Sequence, residues 1–123
     1  MNNTDIDSVI KNFAVKKNID EILIATSTGL PIGYFKNSKR KNEFVDTYVL
    51  SAKTSSLMEI AKSLTPQIKE MILQGKKEKI IVIGNDTYVM KIVLRNGSSE
   101  TNLKKLIPSA KRIFTKITKA LES

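Results

Sequence analysis

Apolar residues near the N-terminus of the chain recur at steps of three and four positions. This spacing is typical of one face of an amphipathic helix, and the residues that show it are Ile6, Val9, Ile10 and Phe13. Lys16 and Lys17 follow the stripe, where cations favour the negative end of a helix dipole. We therefore predict a first helix over about 4–17.

Two short apolar segments come next and predict a β-hairpin. Residues 19–26 (IDEILIAT) are mostly β-branched and apolar, which indicates a strand buried on both faces. Residues 30–36 (LPIGYFK) would return along it after a turn at 27–29, in which Gly29 can adopt a positive φ. Because Pro31 has no backbone N–H to donate, we expect this second strand at a sheet edge.

A second helix is predicted from about residue 46 to 64–65, where Pro66 disfavours further helical geometry. Its apolar positions and those just after it are Val49, Ala52, Leu57, Ile60, Ala61, Leu64 and Ile68. Apolar and small residues occupy more than one side of this helix, and a short chain covers only one side with its own sheet. The other side would then meet the same helix of a second copy in a two-fold contact. The alternative is that Ala52, Ser55, Ser56 and Ala61 are simply tolerated at the surface.

Three more strands are predicted at 68–74, 79–83 and 87–95. The turns at 75–77 and 84–86 are too short for parallel crossovers, so these strands should form an antiparallel meander.

The last predicted helix, about 102–121, has two contrasting sides. Its apolar side comprises Leu103, Leu106, Ile107, Ala110, Ile113, Phe114, Ile117 and Leu121. Its basic side comprises Lys104, Lys105, Lys111, Arg112, Lys116 and Lys119. Pro108 conflicts with an uninterrupted helix, so either the helix kinks there or its regular part begins near Ile107.

The predicted order is thus αββαβββα, an α+β arrangement with a five-stranded, mostly antiparallel sheet covered on both faces. With 123 residues, of which 41% are hydrophobic, the chain fits one packed domain over 1–123. The longest strongly apolar stretch, 79–83, is far shorter than the roughly 20 residues of a membrane span. We expect a soluble, cytoplasmic protein.

The sequence contains few of the residues and motifs that enzymes use for catalysis. It contains no histidine and no cysteine, which removes the usual neutral-pH base and the thiolate metal ligands. Its five glycines form no phosphate-binding loop, and its carboxylates are scattered along the chain. We expect no enzyme activity and no cofactor.

Basic residues exceed acidic ones, 21 to 12, for a formal net charge of +9. They concentrate on the last helix and in the loop 36–42, which contains Lys39, Arg40 and Lys41. Both segments are either solvated surface or a face for an anionic partner. A nucleic-acid-binding domain that uses this helix and loop is therefore a second hypothesis, although no aromatic residues are interleaved for base stacking. Docking on an anionic membrane by charge alone is a third.

Several segments resemble the roadblock/dynein light chain family, and the likeness covers about residues 5–121. The matching segments are 22–32 (ILIATSTGLPI) for the first hairpin, 57–64 (LMEIAKSL) and 69–75 (KEMILQG) for the central helix and third strand, 79–94 for the final hairpin, and 102–103 for the start of the closing helix. The basic loop 36–42 and Pro108 depart from the family pattern.

The resemblance implies a sheet in the order 2-1-5-4-3, with the second helix on one face and the two terminal helices on the other. It implies a non-catalytic regulator or scaffold of a small Ras-like GTPase, which contacts membrane only indirectly and does not bind nucleic acid. It further implies a homodimer, or a heterodimer with a related chain, formed through the second helix and third strand. The corresponding interface residues are Ser56, Leu57, Ile60, Ala61, Leu64, Lys69, Met71 and Leu73.

Overall fold

A computed structural model describes residues 3–37, 45–95 and 103–122. Its elements are α1 (Asn3–Lys17), β1 (Glu21–Thr26), β2 (Pro31–Lys36), α2 (Thr47–Leu64), β3 (Glu70–Gln74), β4 (Glu78–Gly84), β5 (Tyr88–Arg95) and α3 (Leu103–Glu122). The predicted order αββαβββα is confirmed. Lys39, Arg40 and Lys41 of the basic loop lie outside the described residues.

The five strands form one sheet in the order β2-β1-β5-β4-β3, and every neighbouring pair is antiparallel. This confirms the topology that the family resemblance implies. β1 lies between β2 and β5, and Ile22 to Ala25 are completely buried, as the apolar run predicts for a strand covered on both faces. The strand that contains Pro31 lies at an edge of the sheet, also as predicted.

α1 and α3 cover one face of the sheet and enclose the larger core. This core includes Ile6 and Ile10 from α1, Phe114 and Ile117 from α3, and apolar side chains of the central strands. α1 lies close to β2, because a Cβ added at Gly33 would stand 2.9 Å from Ile6 Cγ2. The glycine therefore sets the distance between helix and sheet.

α2 covers the opposite face and encloses a smaller core. Met58 packs there against Ala25, Val82 and Val89. Asp46 caps the helix, since its side chain accepts hydrogen bonds from the N–H groups of Tyr48 (3.0 Å) and Val49 (3.2 Å). One helix on one face and two on the other is the predicted layering.

α3 runs without a break through Pro108, so the alternative in which its regular part begins near Ile107 is wrong. The proline nitrogen cannot donate to the carbonyl of Lys104, and that helical hydrogen bond is missing. Pro108 itself is exposed. Leu106 and Ala110 on either side of it are buried, and their packing stabilises the helix through the proline.

Candidate interaction surfaces

The candidate functional features of this fold are two surfaces, one on α2 and β3 and the other on α3. Within residues 3–37, 45–95 and 103–122, no cluster of three or more histidine, cysteine, aspartate or glutamate side chains is arranged to hold a metal ion. None of the helices in these ranges combines the length and apolar character needed to cross a bilayer.

The inner side of α2, which faces the sheet, consists of three small polar residues and one methionine. Ser51, Thr54, Ser55 and Met58 are buried there, and the Thr54 hydroxyl donates to the carbonyl of Leu50 at 2.7 Å. With 3.6 residues per turn, this burial leaves the opposite side of α2 without cover from the sheet.

Among the small residues that the sequence suggested for the outer side of α2, Ser55 is buried, which corrects the suggestion that it faces a partner or simply lies at the surface, whereas Ala52 is exposed. A Cβ added at Gly29 would lie 3.2 Å from Ser55 Oγ and 3.3 Å from Ala52 Cα. Gly29 also has a φ of 96°, so the turn between β1 and β2 needs glycine and presses against these two residues. Ser56 is exposed and Ala61 is half-buried.

The flank of α2 that faces β3 carries exposed apolar side chains. Leu57 lies on this flank and packs against the smaller core, as Met71 of β3 and Ile80 of β4 do. Ile60 and Leu64 lie one turn apart on its outer part and are 60% and 81% exposed. Isolated exposed apolar residues are ordinary, but a row of them beside an open strand is not.

β3 extends this apolar flank. Among the described strands it pairs with β4 alone. Met71 lies opposite Val82 in the register, so Met71 and Leu73, two residues on, share the α2 face of the sheet. We use the name α2–β3 surface for Leu57, Ile60, Ala61, Leu64, Met71 and Leu73. Of the other predicted interface residues, Ser56 lies on the exposed side of α2 and Lys69 just before β3.

The two edges of the sheet differ. The β1–β2 pairing is irregular between Ile24 and Ala25, and β2 begins with Pro31. The N–H of Tyr34 on β2 donates to Asp7 Oδ1 of α1 at 3.3 Å. These features hinder a further strand from pairing with β2. By contrast, β3 has no proline and pairs with β4 in a regular register. No pattern in the sequence indicated this contact between Asp7 and the edge strand.

The C-terminal half of α2 is held in place by the β4–β5 turn. Lys62 Nζ donates to the carbonyl of Asn85 at 3.0 Å. The Asn85 side chain in turn accepts from the N–H groups of Thr87 (2.9 Å) and Tyr88 (2.7 Å) and fixes the turn. Ile60 and Leu64 are thus presented outward on either side of Lys62, the residue that anchors this part of the helix.

The predicted basic side of α3 is exposed at every position. It consists of Lys104, Lys105, Lys111, Arg112, Lys116 and Lys119. Lys111 forms a salt bridge with Glu70 of β3. Lys16 and Lys17 at the end of α1 lie beside this helix, a proximity that no sequence pattern indicated.

Comparison with solved structures finds close similarity of fold. The chain is similar to Myxococcus xanthus MglB, with a TM-score of 0.78, 17% identity, and coverage of 95% of this chain and 97% of that one. It is similar to a Roadblock/LC7 domain from Streptomyces avermitilis, with a TM-score of 0.76, 8% identity and coverage of 95% and 98%. An MglB structure with tetrameric arrangement gives a TM-score of 0.73, 13% identity and coverage of 86% and 79%. The sequence matches no protein-family model and no curated protein.

Proposed function

Because the chain has the roadblock/LC7 fold, we propose that it is a non-catalytic adaptor that pairs through its α2–β3 surface and binds a small Ras-like GTPase. The pairing partner is a second copy or a related chain. The observation that carries this proposal is the uncovered apolar flank of α2 beside an open strand edge, with Leu64 81% exposed.

Pairing would join the β3 strands of two copies in antiparallel fashion about a two-fold axis perpendicular to the sheet. The α2 helices of both copies then lie on the same side, next to each other. Ile60 and Leu64 of each helix would lose contact with water, and burying a side chain of this size contributes about 1.5–3 kcal/mol. The open backbone groups of β3 gain partners in the same step.

The paired α2 helices would present a platform for the GTPase. Tyr48 and Val49, near the N-terminus of α2, are 66% and 45% exposed. Val49 lies on the same outward arc as Ile60, eleven residues later, since this separation is about three helical turns. Exposed tyrosine beside aliphatic residues is a common centre of binding energy. A regulator of this kind acts by selective binding to one conformation of the GTPase and needs no nucleotide site of its own.

Sedimentation equilibrium followed by affinity capture tests the proposal. We expect a dimer at about tens of micromolar, a concentration above the Kd of ordinary protein dimers. Immobilised protein should then retain a small GTPase from native extract in a manner that depends on whether GDP or a GTP analogue is present. A Tyr48→Ala variant should still pair but lose the GTPase, because Tyr48 lies about 120° around the helix from Ile60.

The two halves of the proposal fail separately. A monomer at these concentrations overturns the pairing surface. A stable dimer that retains no GTPase in either nucleotide state keeps the surface and overturns the GTPase role.

A further inference from the structure

A shallow groove of about 290 Å³ runs between the end of α1 and the middle of α3, on the face of the sheet opposite α2. Its apolar floor comprises Phe13 and Ile113. Its rim carries four cations: Lys16, Lys17, Arg112 and Lys116. None of the described residues that line it is acidic. The groove is therefore a concentrated positive site, assembled from two helices that are distant in sequence.

The positive charge extends along α3 beyond the groove. From Lys104 to Lys119 the helix rises about 22 Å, at 1.5 Å per residue. At about 100° per residue, its six cations fall within roughly 140° of the helix circumference, opposite the buried side. No acidic residue occurs between 103 and 121. Of these six cations, which all belong to the described residues, only Lys111 has a salt-bridge partner.

We propose that this α1–α3 basic face, defined as Lys16, Lys17 and the six cations of α3, docks on an anionic phospholipid surface. Five of the six α3 cations are lysine, which is a compact point charge without the planar fork that arginine offers to a particular carboxylate. Such charges, spread over a long convex strip, suit a layer of phosphate headgroups more than one acidic side chain. The groove at its centre takes a single phosphate between the four rim cations.

The observations favour a lipid surface over a nucleic acid. Proteins that hold single strands stack bases on exposed aromatic rings. Phe13 is half-buried in the groove floor, and Phe114 is buried in the core. The strip itself therefore offers charge without a stacking platform.

The position of the basic face also fits this role. It lies on the opposite side of the sheet from the α2–β3 surface, so both can be occupied together. The face exists in one chain and does not require pairing. Pairing through β3 about an axis perpendicular to the sheet would place two such faces on the same side, toward one plane.

Vesicle co-sedimentation of the full chain tests the proposal, with vesicles of phosphatidylcholine alone and with added phosphatidylserine. Each cation near an anionic surface changes the partition by about fivefold. We expect binding only to the anionic vesicles and release by added salt. An Arg112→Glu/Lys116→Glu variant should bind at least about tenfold more weakly. Lys76→Glu/Lys77→Glu is the matched control, because it makes the same change in net charge in the exposed β3–β4 turn.

Loss in the α3 variant with retention in the control supports the proposal. Absence of binding to anionic vesicles, or equal loss in both variants, overturns it. Tighter binding to duplex DNA than to the vesicles at the same salt concentration, measured by fluorescence anisotropy, also overturns it and assigns the face to nucleic acid.

Discussion

Lys91 Nζ lies 3.4 Å from Glu21 Oε1 on the α2 face of the sheet, and both side chains are largely buried, at 14% and 7% exposure. The Tyr34 hydroxyl donates to the other oxygen, Glu21 Oε2, at 2.5 Å. A buried carboxylate is thus held by one charged and one neutral donor from the strands on either side of β1.

Replacing one partner of this pair should destabilise the fold more than replacing both. Lys91→Met leaves the Glu21 carboxylate buried without its cation, which costs about 3–5 kcal/mol. The double variant Glu21→Gln/Lys91→Met removes both charges and should cost less than Lys91→Met alone. Urea unfolding of the single and double variants measures the difference. Equal losses in the two would show that the charges are not coupled.

A charge on the exposed part of the α2–β3 surface should separate the proposed dimer without unfolding the chain. Leu64→Glu would place a carboxylate in a desolvated contact, and we expect dissociation to become easier by at least about 2 kcal/mol, roughly thirtyfold in Kd. Val15→Glu is the matched control, because Val15 is also strongly exposed (67%) but lies on α1. Sedimentation equilibrium compares them, and an unchanged Kd for Leu64→Glu would place the interface elsewhere.

The β1–β2 turn should not accept any residue larger than glycine at position 29. Gly29→Ala would force an L side chain into a positive φ and bring its Cβ to 3.2 Å from Ser55 Oγ. We expect a loss of about 1–3 kcal/mol in the free energy of unfolding. Ser27→Ala, at an exposed position in the same turn, should change stability by less than about 0.5 kcal/mol. Thermal unfolding of both variants checks the contrast, and equal stabilities would refute this packing.

Removal of the proline inside α3 should stabilise the protein. Pro108→Ala restores a donor to the carbonyl of Lys104 and loses no buried contact, because Pro108 is exposed. We expect a gain of about 1–2 kcal/mol in the free energy of unfolding, after the greater freedom of the unfolded chain is subtracted. Thr115→Ala, on the same exposed side, serves as the reference. A Pro108→Ala variant no more stable than this reference would contradict the expectation.

Much of the fold was predictable because local signals and tertiary structure agree. The apolar run before Thr26 correctly predicted an interior strand, and the proline at the start of β2 correctly predicted an edge strand. The stripe in α3 predicted its buried side, including Phe114 and Ile117. Such periodicities indicate which side of a helix or strand packs against the core.

The contacts between distant segments were not predictable from such patterns. Ser55 faces Gly29 across the two layers, and Asp7 reaches the edge strand at Tyr34. Lys16 and Lys17 approach α3 only because both terminal helices lie on one face of the sheet. Periodicity identifies the buried side of a helix but gives no information about its neighbour, so the basic groove emerges only in three dimensions.

The difference between the two sheet edges would limit how many copies can join through the proposed pairing. A strand edge that adds a neighbour normally leaves a new free edge, and growth then continues into a fibre. In this chain the edge left over after β3 pairs is β2, with its proline, its irregular pairing and the Asp7 contact. Under the proposed pairing, assembly through strands would therefore stop at two molecules, and a higher concentration alone would not extend it.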